Sequence, residues 1–154
     1  MIKMITAGQE EHMRQKDTIC GYEVEIDRVS TAAWYSTADE WGCACGDCRN
    51  FLTAAKINVL PLFVRKLLEK FELPPEKATY VGQLYADDEG VHYQVSYRLA
   101  GEILAKHGEG DRRIRCCHEP YPYGAPGFPD PHFDLEFYVT LPWLLEENSR
   151  GQQK

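Results

Sequence analysis

Asp87-Asp88-Glu89-Gly90-Val91-His92-Tyr93-Gln94-Val95-Ser96-Tyr97-Arg98-Leu99 decides the fold class of this chain. Val91, Tyr93, Val95, Tyr97 and Leu99 fall on one side of an extended backbone, and His92, Gln94, Ser96 and Arg98 on the other. That is the period-two pattern of a strand with one apolar face. The acidic, glycine-ended turn in front of it joins it to a strand over residues 80–85, so the pair reads as a hairpin. Gly101 marks a bulge or the strand end. Further on, Phe133, Leu135, Phe137, Val139 and Leu141 alternate with Asp134, Glu136 and Thr140, and residues 112–118 form a shorter strand. Between these two, residues 119–132 carry Pro120, Pro122, Gly124, Pro126, Gly127, Pro129 and Pro131. Such a segment cannot join a ladder, and its aromatics Tyr121, Tyr123 and Phe128 anchor it as an ordered surface loop.

Towards the N-terminus, Cys20, Tyr22, Val24 and Ile26 alternate with Glu23, Glu25 and Asp27, predicting a strand over 18–28. Residues 31–36, with Ala33, Trp34 and Tyr35, read as a second strand. From Asp47 the spacing changes. Phe51, Leu52 and Ala55, then Leu60, Val64, Leu67, Leu68 and Phe71, recur at helical intervals. Asn58 is placed to cap the second helical run, Pro61 fits only its first turn, and Pro74-Pro75 stops it. The expectation is an α+β fold: an antiparallel sheet, with a helical hairpin or one kinked helix between the N-terminal strands and a C-terminal meander. Residues 17–146 form one domain, 1–16 a flexible N-terminal segment and 147–154 a disordered tail.

The chain has 154 residues, 44% of them hydrophobic, and 24 Asp plus Glu against 17 Lys plus Arg, a net charge of -7. This is enough to bury one core without staples. With no basic run, neither nucleic acid nor an anionic membrane is expected as partner, since both demand clustered cations. Arg112, Arg113 and Arg115 are the basic cluster, read as a solvated strand face or as intramolecular partners of Asp and Glu rather than an RNA site. No apolar leader core and no apolar stretch long enough to span a membrane is seen, which predicts a cytoplasmic protein. There, six cysteines are thiols or metal ligands rather than a disulfide framework.

Cys43, Cys45 and Cys48 lie within six residues, as Cys-x-Cys-x-x-Cys, where a glycine-bearing loop meets a helix. A Cys-x-x-Cys turn supplies two thiolates to a tetrahedral zinc, and Gly46 permits the tight turn. Cys43 can be a third ligand. The fourth is sought in Cys116, Cys117 or His118, with His92, His132 and Cys20 behind them. The expected function is a zinc-stabilised binding domain that engages a protein partner, without an assigned catalytic residue. Two alternatives stand beside it. Cys45 and Cys48 have the spacing of a redox dithiol, whose first thiolate a helix start would stabilise. An acidic interaction module with metal-free, inert cysteines is the other. Cys20 and Cys116 read as small buried hydrophobes, and Asp87, Asp88 and Glu89 as a solvated turn rather than a calcium loop.

The run from Cys43 to Phe51 (Cys-x-Cys-x-x-Cys-x-Asn-Phe), the leucine-rich helix before Pro74-Pro75, and the closing strand from Leu135 to Leu141-Pro142-Trp143 together resemble a family of small bacterial proteins without an assigned activity. The likeness spans residues 18–145. It implies that the triplet and the closing Leu-Pro-Trp belong to one compact domain, and it implies no reaction. The Cys116-Cys117 pair is outside the family pattern.

Overall fold

The computed structural model describes residues 14–118 and 124–146. It is an α+β fold with an antiparallel sheet. β1 (Arg14–Ile19) and β2 (Tyr22–Asp27) form a hairpin whose two turn residues, Cys20 and Gly21, have φ of 46° and 88°. Positive φ at both is the turn that matches strand twist. Cys20 is therefore a half-buried turn residue rather than part of an apolar strand face. β1 also takes in Arg14, Gln15 and Lys16, which the sequence reading leaves in the N-terminal segment.

The expected strand over 31–36 is a helix, α1 (Arg28–Thr37). Asp27 caps it, its carboxylate accepting from the Ser30 amide at 2.9 Å and the Ser30 hydroxyl at 2.8 Å. Once the cap starts the turn, Thr31 and Tyr35 fall one above the other and bury together. The β-preference of Trp34 and Tyr35 loses to that cap and to burial.

The two helical runs are separate helices, α2 (Gly46–Lys56) and α3 (Leu62–Lys70). Asn58, at φ 62°, ends α2 instead of capping α3: Val59 N–H donates to Ala54 O and Asn58 N–H to Ala55 O. These paired bonds satisfy the last carbonyls of the helix. Glu72, at φ 56°, ends α3 in the same way, ahead of Pro74-Pro75; the prolines lead instead into a short 3-10 turn, Pro75–Lys77.

β3 (Tyr80–Asp87) and β4 (Gly90–Lys106) form the expected hairpin. β4 does not stop at Gly101. It pairs with β6 (His132–Leu141) from Val91 to Ala100 and with β2 from Gly101 to Lys106. At the changeover Gly101 has φ 141°, and a Cβ there would lie 1.9 Å from Glu25 O. After β4 the chain crosses to the sheet edge for β5 (Ile114–Cys117) and returns as β6 between β4 and β5, giving the order β1-β2-β4-β6-β5 with β3 also on β4. One face carries the core: Tyr93, Tyr97, Leu99, Phe133, Leu135 and Phe137 are fully buried, with Phe51, Val64 and Leu68 from the helices.

The other face is polar and also buried. Glu136, 0% exposed, accepts from Arg115 Nη2 at 2.8 Å, the Tyr138 hydroxyl at 2.9 Å and Gln94 Nε2 at 2.9 Å, while Arg98 pairs with Asp134 at 2.9 Å. Arg113 pairs with Asp111 and Arg112 with Glu109 at the exposed surface, so each arginine of the basic cluster has an acidic partner within the chain while Arg112 and Arg113 stay solvated. Of the proline-rich loop, Tyr121 and Tyr123 lie outside the described residues. Phe128 does anchor it, with its ring 5.0 Å from that of Trp34.

Candidate metal centre

The start of α2 is fastened to the sheet from below. Asn50 is fully buried and donates from Nδ2 to Pro142 O at 3.1 Å and to the Tyr93 hydroxyl at 3.3 Å; its Oδ1 accepts from Leu144 N–H at 2.7 Å. The Tyr93 hydroxyl donates in turn to Asp47 O at 2.7 Å. The helix that carries Cys48 is thereby hydrogen-bonded to the segment that closes the chain's last strand, at Pro142 O and Leu144 N–H. This clamp turns Cys48 inward, 7% exposed, and leaves Cys43 and Cys45 at the surface.

Cys45 is the N-cap of α2, its sulfur accepting from Cys48 N–H at 3.4 Å. Arg49 Nε reaches back to Ala44 O at 3.2 Å and holds the loop against the helix. The outcome is convergence: the Sγ atoms of Cys43, Cys45 and Cys48 all lie within 4.8 Å of one another. Three thiolates on a tetrahedral zinc with bonds of about 2.3 Å sit ~3.8 Å apart, a separation that falls within that limit.

The surroundings differ for each sulfur. Burial pushes the Cys48 thiol up to about 12, with the neighbouring Cys45 and Cys43 thiols adding to the rise. Against that, the nearby Trp41 indole favours the Cys48 thiolate; its Nε1–H is buried and meets no hydrogen-bond acceptor at bonding geometry among the described residues. A Cys48 thiolate held by a metal would accept that donor, and such contacts fix ligand orientation. The Cys43 thiol is held below its ordinary value, first by the Cys45 backbone N–H.

The cluster could hold a metal ion, and soft sulfur donors suit zinc. Among the described residues the group consists of these three sulfurs, and no further His, Cys, Asp or Glu joins it. Cys116 and Cys117 are on β5, with β6 between that strand and β4. Cys116 is buried, desolvation pushing its thiol up to about 12. Cys117 faces Glu136 at 3.8 Å, and His118 is exposed.

A second group, Asp87, Glu89 and His92, also has its ligand atoms within 4.8 Å of one another; the sequence reading takes Asp87, Asp88 and Glu89 as a solvated turn and does not join His92 to them. Both ring nitrogens of His92 are engaged there, Nε2 with Asp87 Oδ1 and Nδ1 with Thr140 Oγ1, each at 2.9 Å. That ring, stacked on Tyr85 at 4.2 Å, closes the hairpin. The signal available in the sequence was the i, i+5 spacing of Asp87 and His92 across a tight turn. Among the described residues no helix is long and apolar enough to cross a membrane. Comparison with protein-family models, with curated proteins and with solved structures gives no match.

Proposed function

We propose that this chain is a zinc-stabilised binding domain of the cytoplasm, with Cys43, Cys45 and Cys48 as protein ligands. The observation that carries the reading is the convergence of three sulfurs at a helix start clamped to the core. Zinc there would tie the loop running from α1 to α2 onto the helix, where the Cys45 cap is the loop's local anchor. All six cysteines are free thiols, as a reducing compartment maintains them. In this reading the domain acts on a protein partner by presenting a fixed surface rather than by turning over a substrate.

Metal analysis of protein purified without added zinc tests it, together with a Cys45→Ser variant. One zinc per chain in the parent and none in the variant is the expected result. Serine is the better N-cap, so the metal-free variant should be no less stable than the metal-free parent. A parent without metal that does not take up zinc refutes the proposal.

A second reading is favoured by one feature, the pairing of exposed Cys43 and Cys45 with buried Cys48. An exposed thiol that attacks and a shielded one that resolves is the arrangement of a dithiol oxidoreductase. Reversible formation of one intramolecular disulfide within residues 43–48 under a glutathione buffer would support it over zinc. Failure to form that disulfide rules it out.

A further inference from the structure

A cleft of about 490 Å3 opens beside the cysteine loop, its walls including Trp34, Thr37, Asp39, Glu40, Trp41 and Cys43. The size is that of a site for one small molecule. Its floor comes partly from Ala78 and Gly124, and its wall partly from α1, so its existence does not depend on the metal.

Two independent features favour a cation there. First, Asp39 is exposed and forms no ion pair among the described residues, whereas the adjacent Glu40 is neutralised by Lys56 at 2.9 Å. Second, two of the lining residues are the half-buried Trp34 and Trp41, and indoles attract cations. The carbonyl end of α1 adds nothing, because Lys77 donates to Tyr35 O at 2.7 Å. Among the described residues no Lys, Arg or His lines the cleft.

The geometry points to a binding site for a small organic cation, a primary ammonium carried on an apolar or aromatic body. The ammonium sits at Asp39, and the body lies along Trp34 and Trp41. An anion is repelled by the Asp39 carboxylate. A neutral molecule of the same shape keeps the indole contact and loses the rest.

Titration of the full chain with benzylammonium, followed by the indole N–H resonances in nitrogen-15 correlation spectra, tests this. Trp143 is not among the residues lining the cleft and serves as an internal reference. The Trp34 and Trp41 resonances should move together on one binding curve while that of Trp143 stays. Benzyl alcohol should bind more weakly, and benzoate should not bind. Asp39→Asn, at an exposed position that the fold does not use, should raise the benzylammonium Kd by about 2- to 5-fold; Asp39→Lys should raise it further. Equal affinity for benzyl alcohol, an unchanged Kd in Asp39→Lys, or shifts confined to Trp143 would overturn the proposal.

Discussion

Asn50→Ala is the perturbation that most directly tests how the metal centre is positioned. The side chain is fully buried and makes three hydrogen bonds, to Pro142 O, to the Tyr93 hydroxyl and from Leu144 N–H. Each contributes about 1 kcal/mol net. Alanine removes all three and leaves Leu144 N–H and Pro142 O with no replacement from the side chain, so the expected loss is about 3 kcal/mol. At this chain length that corresponds to a fall of about 6–12 °C in Tm.

Denaturant unfolding of four proteins measures it: parent, Asn50→Ala, Tyr93→Phe and the double variant. Tyr93→Phe removes the hydroxyl that accepts from Asn50 and donates to Asp47 O. The two side chains share a bond, so their losses should fall short of additive by about 0.5–1 kcal/mol. Zinc affinity should drop in both single variants, because each loosens the end of α2 that presents Cys45 and Cys48. If Asn50→Ala unfolds within about 0.5 kcal/mol of the parent, or the two losses simply add, the clamp is not what holds the helix start and the reasoning fails.

Two further outcomes follow from the backbone and from charge. Gly101→Ala should cost well over 3 kcal/mol or prevent folding, because its Cβ would lie 1.9 Å from Glu25 O at a φ of 141°; Gly108→Ala, at φ 71° with nothing within 4 Å, should cost only about 1–2 kcal/mol in urea unfolding. For Asp17, burial pushes the carboxyl up, but the Lys70 ammonium and the Thr18 N–H outweigh it and hold it below the ordinary value. A depressed folded-state value means stability that is present above about pH 4 and lost as pH falls further, so Lys70→Met should flatten the acid limb of stability against pH. An acid limb identical to the parent's would contradict the assignment.

The period-two strands were legible because their alternation reports directly which face meets the core, and β3, β4 and β6 fall where Val91 to Leu99 and Phe133 to Leu141 place them. What failed was arbitration where two local signals compete. Thr31, Trp34 and Tyr35 favour a strand by type and a helix by spacing; Asp27 three residues before Ser30 is the cap that settles it, and it was readable. Asn58 and Glu72 failed differently. Each adopts a positive φ to terminate a helix, and for Glu72 nothing in the residue type announces it. Alternation also does not announce that Asp134 and Glu136, on the polar side of β6, are buried. Arg98, Arg115, Gln94 and Tyr138 supply the partners that let those carboxylates be buried.

The candidate site divides along the same line between local and non-local information. Three cysteines within six residues at a helix start must lie close, whatever the rest of the chain does, so Cys43, Cys45 and Cys48 could be named from spacing alone. A fourth donor cannot, because its position depends on strand order. Cys116 and Cys117 follow β4 in the chain, but β6 inserts between β4 and β5 and carries them to the far edge. The insertion follows from the sequence of β6 itself: its face of Phe133, Leu135 and Phe137 is too large and apolar for an edge strand, whereas the four-residue β5 can serve as one. Packing of the sheet thus separates the two groups of cysteines, and a triplet alone at its helix start leaves a tetrahedral metal one position to fill from outside the three sulfurs.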